Sequence, residues 1–291
     1  MKTSKTPYLF SIIVPVYEHW HLIPYLLHAI SQQDVLENSY EVILVDNGSQ
    51  NIVVPKQLPN YVKIIHCQLP GSYAARNQGA KLAQGEWLVF TDADCVPDKK
   101  WLAAYKEAIE SYEDISCLLA GPISMVLEGN DQNPYAIYDL IKGIPQKRYF
   151  QKGYAATANL VVSRQAFNKV GGFDAKRFSG GDAAFCRAVV NQNTPFYWVE
   201  TAEVCHPTRT TWLEIETKAR RVKGGQWYSN ARLYWLCKTI LPPILEWSRF
   251  LRKSNHSLRN RLLACCVQSR VWWVELKEIA KLFAGHRAER Q

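Results

Sequence analysis

The most constraining feature of this chain is a rhythm in its first half: continuously apolar, β-branched runs alternate with segments of helical spacing. "FSIIVPVY" leads into "HLIPYLLHAISQQ", where Ile23, Leu26, Leu27 and Ile30 recur at helical intervals. "YEVILVDNGS" is a second apolar run, stopped by Asn-Gly-Ser turn chemistry, and "VKIIHC" is a short third. "SYAARNQGAKLAQG" carries alanines at helical spacing. "EWLVFTDADCVP" reads as a fourth strand and "KKWLAAYKEAIESY" as an amphipathic helix. Strands apolar along their whole length, alternating with helices, require a mainly parallel sheet covered on both faces. A hydrophobic fraction of 47% and ten tryptophans supply the core such a sheet needs.

In open sheets of this kind ligands bind beyond the carboxyl ends of the strands. Asp46, Asp92 and Asp94 all fall at such ends. Read as a continuation of an extended strand, Asp92 and Asp94 share one face while Ala93 points to the other. Two adjacent carboxylates repel and call for basic neighbours or a cation. Hard oxygen ligands suit Mg²⁺ or Mn²⁺, which would neutralise a diphosphate. The competing reading is a pair of loop aspartates capping the helix after Pro97.

No G-x-G-x-x-G follows the first strand, and no G-x-x-x-x-G-K-[ST] occurs, which argues against a dinucleotide dehydrogenase and a P-loop NTPase. A nucleotide could instead be held by Asp46, with Pro15 and Tyr17 lining the neighbouring strand end. Arg76 belongs near the same rim, to pair with phosphate oxygens or to steady the aspartates. Asp182, behind "SGG", is a candidate general base or a helix cap. His206 ends the strand-like "PFYWVETAEVCHP" and is a candidate metal ligand, phosphate contact or structural histidine. His19 and His21, in "EHWH", read as an ordinary loop with Trp20 available for stacking. "ISCLLAGPISMV" reads as one further strand.

Taken together, "SIIVPVYEHWHLIPYLLHAISQQ", "YEVILVDNGSQN", "ARNQGAKLAQGEWLVFTDADCVPDKKWL", "ANLVVSRQAFNKVGGFDAKRFSGGDAAFCRAV" and "VCHPTR" resemble glycosyltransferase family 2 in order and approximate spacing. The resemblance covers about residues 10 to 210. It implies the GT-A fold, a Rossmann-like mixed, mainly parallel sheet flanked by helices, and an inverting, metal-dependent transfer from a nucleotide sugar. UDP-sugars are the first expectation, with GDP- and dTDP-sugars next, and the acceptor is a hydroxyl of a glycan or lipid-linked molecule. It further implies that Pro15, Tyr17 and Asp46 contact the nucleoside, that Asp94 lies nearer the metal and Asp92 nearer the ribose, and that Asp182 is the base. Arg220 or Arg221, in the basic segment after the last strand, is implied to reach the diphosphate. Two departures stand out: "GGDAAF" has Ala184 at the second acidic position of the family pattern, and "VDNGS" has Asn47 where a second aspartate is usual.

Charge divides the chain. From Cys205 onward there are 17 Lys and Arg against 6 Asp and Glu; the preceding residues carry 18 against 20. The expected organisation is a catalytic domain over 1–210 and a basic, aromatic, amphipathic helical extension over 211–291. No uncharged apolar run approaches the roughly 18 residues of a spanning helix. The extension is therefore expected on an anionic membrane surface, or packed on the body or on a second copy in a homodimer. No nucleic-acid partner is expected. No apolar leader core precedes the first strand, and the eight scattered cysteines read as reduced, mostly buried thiols of a cytoplasmic protein, Cys265 and Cys266 included. Two other readings stand beside the transferase: a nucleotidyltransferase, lacking its usual glycine-rich basic signature here, and a non-catalytic scaffold that keeps the fold, favoured by Ala184.

Overall fold

The computed structural model describes residues 8–55, 57–112, 116–127, 133–177, 179–229 and 231–288. The chain forms two compact units, one of Met1–Ser124, Pro145–Lys176 and Gly181–His206, the other of Met125–Ile144, Arg177–Gly180 and Pro207–Gln291.

The apolar rhythm becomes β1 (Phe10–Val16), α1 (Ile23–Ser31), β2 (Tyr40–Asp46), β3 (Val62–His66), α2 (Ser72–Leu82) and β4 (Trp87–Phe90). Next come β5 (Val96–Pro97), α3 (Trp101–Tyr112), β6 (Leu118–Ala120), β7 (Ile123–Val126), α4 (Pro134–Lys142) and α5 (Gln146–Phe150). After them follow β8 (Leu160–Ser163), α6 (Arg164–Val170), α7 (Gly181–Val190), β9 (Phe196–Trp198) and β10 (Val204–Pro207). Four helices close the chain: α8 (Trp212–Trp227), α9 (Arg232–Ile240), α10 (Ile244–Leu251) and α11 (Leu258–Phe283).

The main sheet runs β3-β2-β1-β4-β8-β6-β9. β1 is parallel to β2 and β4, and β2 to β3, whereas β8 runs antiparallel to β4 and β6. The sheet is thus mixed and mainly parallel. All seven residues of β2 and all four of β4 are buried, which is why those stretches are apolar without alternation. Strand order changes direction beside β1, so the carboxyl ends of β1, β2 and β4 surround a switch-point crevice. A small sheet, β5-β10-β7, stands apart, with Cys205 of β10 opposite Val96 of β5.

α2 packs on the sheet through small residues. A Cβ at Gly79 would lie 2.6 Å from Ile13 Cγ2 and 3.0 Å from Val45 Cγ2, so glycine sets how closely helix and sheet approach. Two expected strands are in fact pairs. "ISCLLAGPISMV" splits at Gly121-Pro122 into β6 and β7, which belong to different sheets. A Cβ at Gly121 would lie 2.0 Å from the Ala202 carbonyl oxygen, so this turn is built on close backbone approach. "PFYWVETAEVCHP" likewise divides into β9 and β10.

The second unit has its own core, in which Ile137, Tyr138 and Ile141 of α4 meet Ile215 and Ala219 of α8, Phe250, and Ala264, Val267, Val271 and Val274 of α11. Tyr138 donates to Gln268 Oε1 (2.9 Å), and α8 opens with a Thr211–Glu214 capping box. All eight cysteines are free; Cys67, Cys95, Cys117 and Cys186 are buried, but Cys237 and Cys266 are exposed, against the expectation of burial for Cys266.

Candidate active site

β4 ends at Phe90, earlier than the sequence reading has it. Thr91 Oγ1 donates to the Ala158 carbonyl (3.0 Å), and the Cys95 N–H closes a turn onto the Asp92 carbonyl (3.1 Å). Asp92 and Asp94 therefore converge through a turn and not through strand alternation. The small sheet explains their neighbour: β10 pairs with β5 directly after Cys95, which carries His206 to the same turn. His206 is 4% exposed, and its Nε2 lies 3.7 Å from Asp94 Oδ2. From α2, the buried Arg76 reaches Asp92 Oδ1 with Nη2 at 2.5 Å.

Ligand atoms of Asp92, Asp94, Cys95 and His206 all lie within 4.8 Å of one another. Opposite ligands of an octahedral Mg²⁺ or Mn²⁺ stand about 4 Å apart, so the spacing fits one small divalent ion after slight contraction. Burial, with Asp94 and Asp92 beside it, pushes the Cys95 thiol well up and keeps it protonated; its Sγ sits 3.9 Å from Asp94 Oδ1. The donors suited to a hard cation are the two carboxylates, with the His206 imidazole as a borderline third. The Arg76 guanidinium already balances Asp92, while His206 Nε2 faces Asp94 Oδ2.

Asp46, at the end of β2, is buried and receives the Trp20 indole N–H (3.0 Å), the Gly48 N–H (3.2 Å) and His66 Nδ1 (3.4 Å). Burial pushes this carboxyl up, yet hydrogen bonds from Ser49, Trp20, Gly48 and His66 outweigh it and hold it below its ordinary value. Trp20, expected in an ordinary loop as available for stacking, is buried as one of these donors. Tyr17 is exposed and Pro15 partly buried at the end of β1, beside Asp46 in the register Val16–Asp46. Asn47 keeps the loop after β2 in shape: its Nδ2 donates to the Cys67 and Leu69 carbonyls, and its Oδ1 accepts from the Gly71 N–H that precedes α2. The family's second aspartate could not donate those two bonds.

Asp182 lies in the first turn of α7, where its Oδ1 accepts from the Ala183 N–H (2.8 Å) and the Tyr73 hydroxyl (3.4 Å). Tyr73 in turn accepts from the Gly181 N–H (3.0 Å). A Cβ at Gly181 would sit 2.5 Å from the Tyr73 ring, so the ring and the glycine are matched. Desolvation by the surrounding protein pushes the Asp182 carboxyl up, with the Asp92 charge adding to it; the Ala183 N–H, Arg76 and Tyr73 oppose this incompletely. The Arg76 guanidinium lies 5.7 Å from the Tyr73 ring centre. Asp182, Tyr73, Arg76 and Asp92 thereby form one connected polar chain.

Arg220 and Arg221 sit in α8 of the second unit, where Arg220 pairs with Glu216. Tyr73, Cys95 and His66 escape the sequence reading, and Trp20 entered it only as a stacking residue. Tyr73 lies one turn before Arg76 in an alanine-rich helix, a spacing that puts both on one face and was the available signal. His66 is opposite Asp46 in the β2–β3 register, which no local pattern reveals.

An α/β sheet with acidic residues gathered at the carboxyl ends of its switch-point strands is the arrangement that GT-A architecture calls for. The Glycosyl transferase family 2 model matches residues 11–171. Glycosyltransferase AglE of Haloferax volcanii is 30% identical over 231 residues, spanning 77% of this chain and 74% of that protein. The pre-mycofactocin glycosyltransferase of Mycobacterium tuberculosis is 27% identical over 186 residues, 58% of this chain and 38% of that one. Among solved structures, residues 1–349 of TarS from Staphylococcus aureus align over 92% of this chain and 71% of theirs, with TM-score 0.50 and 16% identity. The same segment in complex with UDP-GlcNAc aligns over 90% and 82%, with TM-score 0.50 and 17% identity. The chain belongs to glycosyltransferase family 2, and it is a glycosyltransferase.

Proposed function

We propose that the protein is a metal-dependent, inverting glycosyltransferase that moves a sugar from a nucleoside-diphosphate donor to a hydroxyl of a glycan or lipid-linked acceptor. The observation that carries this reading is the joining, at one crevice, of an Asp94–His206 pair spaced for a divalent ion and an Asp182 carboxyl of raised basicity. UDP is the first choice of nucleotide, in keeping with the UDP-GlcNAc complex of the TarS segment; GDP and dTDP follow.

Asp94 and His206, with Asp92 beside them, would hold Mg²⁺ or Mn²⁺, which supplies charge neutralisation for the diphosphate leaving group. Pro15, Tyr17 and Asp46 form the nucleoside side of the site, and Asp92, held by Arg76, faces the ribose. Asp182 accepts the acceptor's hydroxyl proton while that oxygen bonds to the anomeric carbon. The bond from that carbon to the diphosphate oxygen breaks in the same step, and its electron pair leaves with the nucleotide. One displacement inverts the centre, so an α-linked donor gives a β-glycoside. Arg220 and Arg221 are assigned to the diphosphate. We assign the catalytic domain to 1–210 and the basic extension to 211–291, with an anionic membrane face, on the cytoplasmic side, and a second copy of the chain as its partners.

The test is a panel of UDP-, GDP- and dTDP-sugars scored for nucleotide release with Mn²⁺, with the product anomer read by NMR. Release from one donor class, abolished in Asp182→Asn while nucleotide binding persists, is expected. Unchanged turnover in that variant, or a retained anomer, overturns the assignment.

A further inference from the structure

The junction of α9 and α10 exposes apolar side chains to a degree that water does not favour. Ile240, Leu241, Ile244 and Leu245 are 65%, 65%, 61% and 68% exposed, and Leu233 and Tyr234 of α9 extend the surface at 74% and 60%. Along α9 the exposed positions Leu233, Cys237 and Ile240 fall on one stripe, so the apolar face is continuous with the junction.

We infer that this junction is a membrane-docking tip, inserted to the depth of the headgroup–acyl boundary of an anionic bilayer. Two observations favour a lipid surface over a protein partner. From Tyr228 to Leu262 the chain carries seven Lys and Arg (Arg232, Lys238, Arg249, Arg252, Lys253, Arg259 and Arg261) against one acid, Glu246. Basic residues flanking an apolar wedge complement anionic headgroups near the surface. The backbone of the turn is also prepared for an apolar medium. Pro242 and Pro243 have no N–H, the Ile244 N–H bonds the Pro242 carbonyl (2.8 Å), and the Glu246 and Trp247 N–H groups both bond the Pro243 carbonyl (3.0 Å). No helix among the described residues is long and apolar enough to cross a membrane. The tip deepens the proposed function by naming the element that meets the membrane and the lipid charge it selects.

Vesicle co-flotation of the full chain tests it, with palmitoyl-oleoyl phosphatidylcholine vesicles with or without 30% phosphatidylglycerol, on wild type, Leu241→Asp/Leu245→Asp and Arg252→Glu/Arg259→Glu. Wild type is expected to float with the anionic vesicles and at least about tenfold less with the neutral ones. Each double variant is expected to lose about tenfold in partitioning while keeping its circular dichroism and melting temperature. Wild type that stays unbound at low salt, or an apolar-tip variant that floats undiminished, overturns the proposal. So does an apolar-tip variant that instead converts a dimer to a monomer by light scattering, since the face would then be a protein interface. UDP-induced melting shifts recorded on the same samples separate this outcome from failure of the transferase reading, which would abolish the shift and leave flotation intact.

Discussion

In the proposed reaction Asp182 has to take a hydroxyl proton yet remain charged near neutrality, and its surroundings set that balance. Its raised pKa places the ascending limb of kcat/KM against pH above the ordinary carboxylate range. Tyr73→Phe removes a donor to the charged form, so the limb is expected to move to still higher pH; a phenol with a merely structural role would lower activity without moving it. Stability carries the opposite sign. A carboxyl raised on folding destabilises the folded state once ionised, so Asp182→Asn is expected to melt higher than wild type at pH 7, the gain vanishing below the ordinary value of 3.8. Asp46 is the reverse case, a lowered carboxyl whose contribution is present above 3.8 and lost as pH falls through its folded value. Asp46→Asn is expected to lose about 1–3 kcal/mol at pH 7, with the deficit shrinking in acid, read by denaturant unfolding across pH.

At the scale of elements, α2 is the pivot. Its small face lies on β1 and β2 while Tyr73 and Arg76 reach toward two different carboxylates. Gly79→Ala drives a methyl into Ile13 and Val45 and is expected to cost about 1–3 kcal/mol by denaturant unfolding, with a weakened Arg76–Asp92 pair lowering nucleotide affinity as a secondary effect. Strands β1, β2 and β4 were legible because both of their faces are buried almost throughout, whereas the partly exposed β3 was legible from its β-branched run alone. The turn after Phe90 was not: Thr91 and Cys95 close it through bonds to distant or backbone groups, and "TDADCVP" looks the same whether extended or folded back. For the same reason the positions of the aspartates were readable while the geometry that joins them was not.

On the scale of the whole molecule, sequence order and charge were informative in different ways. The alternation of elements and the motif order led to family 2, which the matched residues 11–171 bear out. His206 was legible as a candidate metal ligand at a strand end, but its place beside Asp94 was not, because the two are more than a hundred residues apart and the β5–β10 pairing that unites them leaves no periodic trace. The basic excess after Cys205 was plain in composition, but exposure of the α9–α10 junction required the fold. The central claim is that this crevice binds a nucleoside diphosphate through a divalent ion held at Asp94 and His206. Thermal melting with UDP, with and without Mn²⁺, tests it most directly. A stabilisation by UDP that requires Mn²⁺ and is lost in Asp94→Asn is predicted. The same shift in EDTA, or its persistence in Asp94→Asn, would contradict the account.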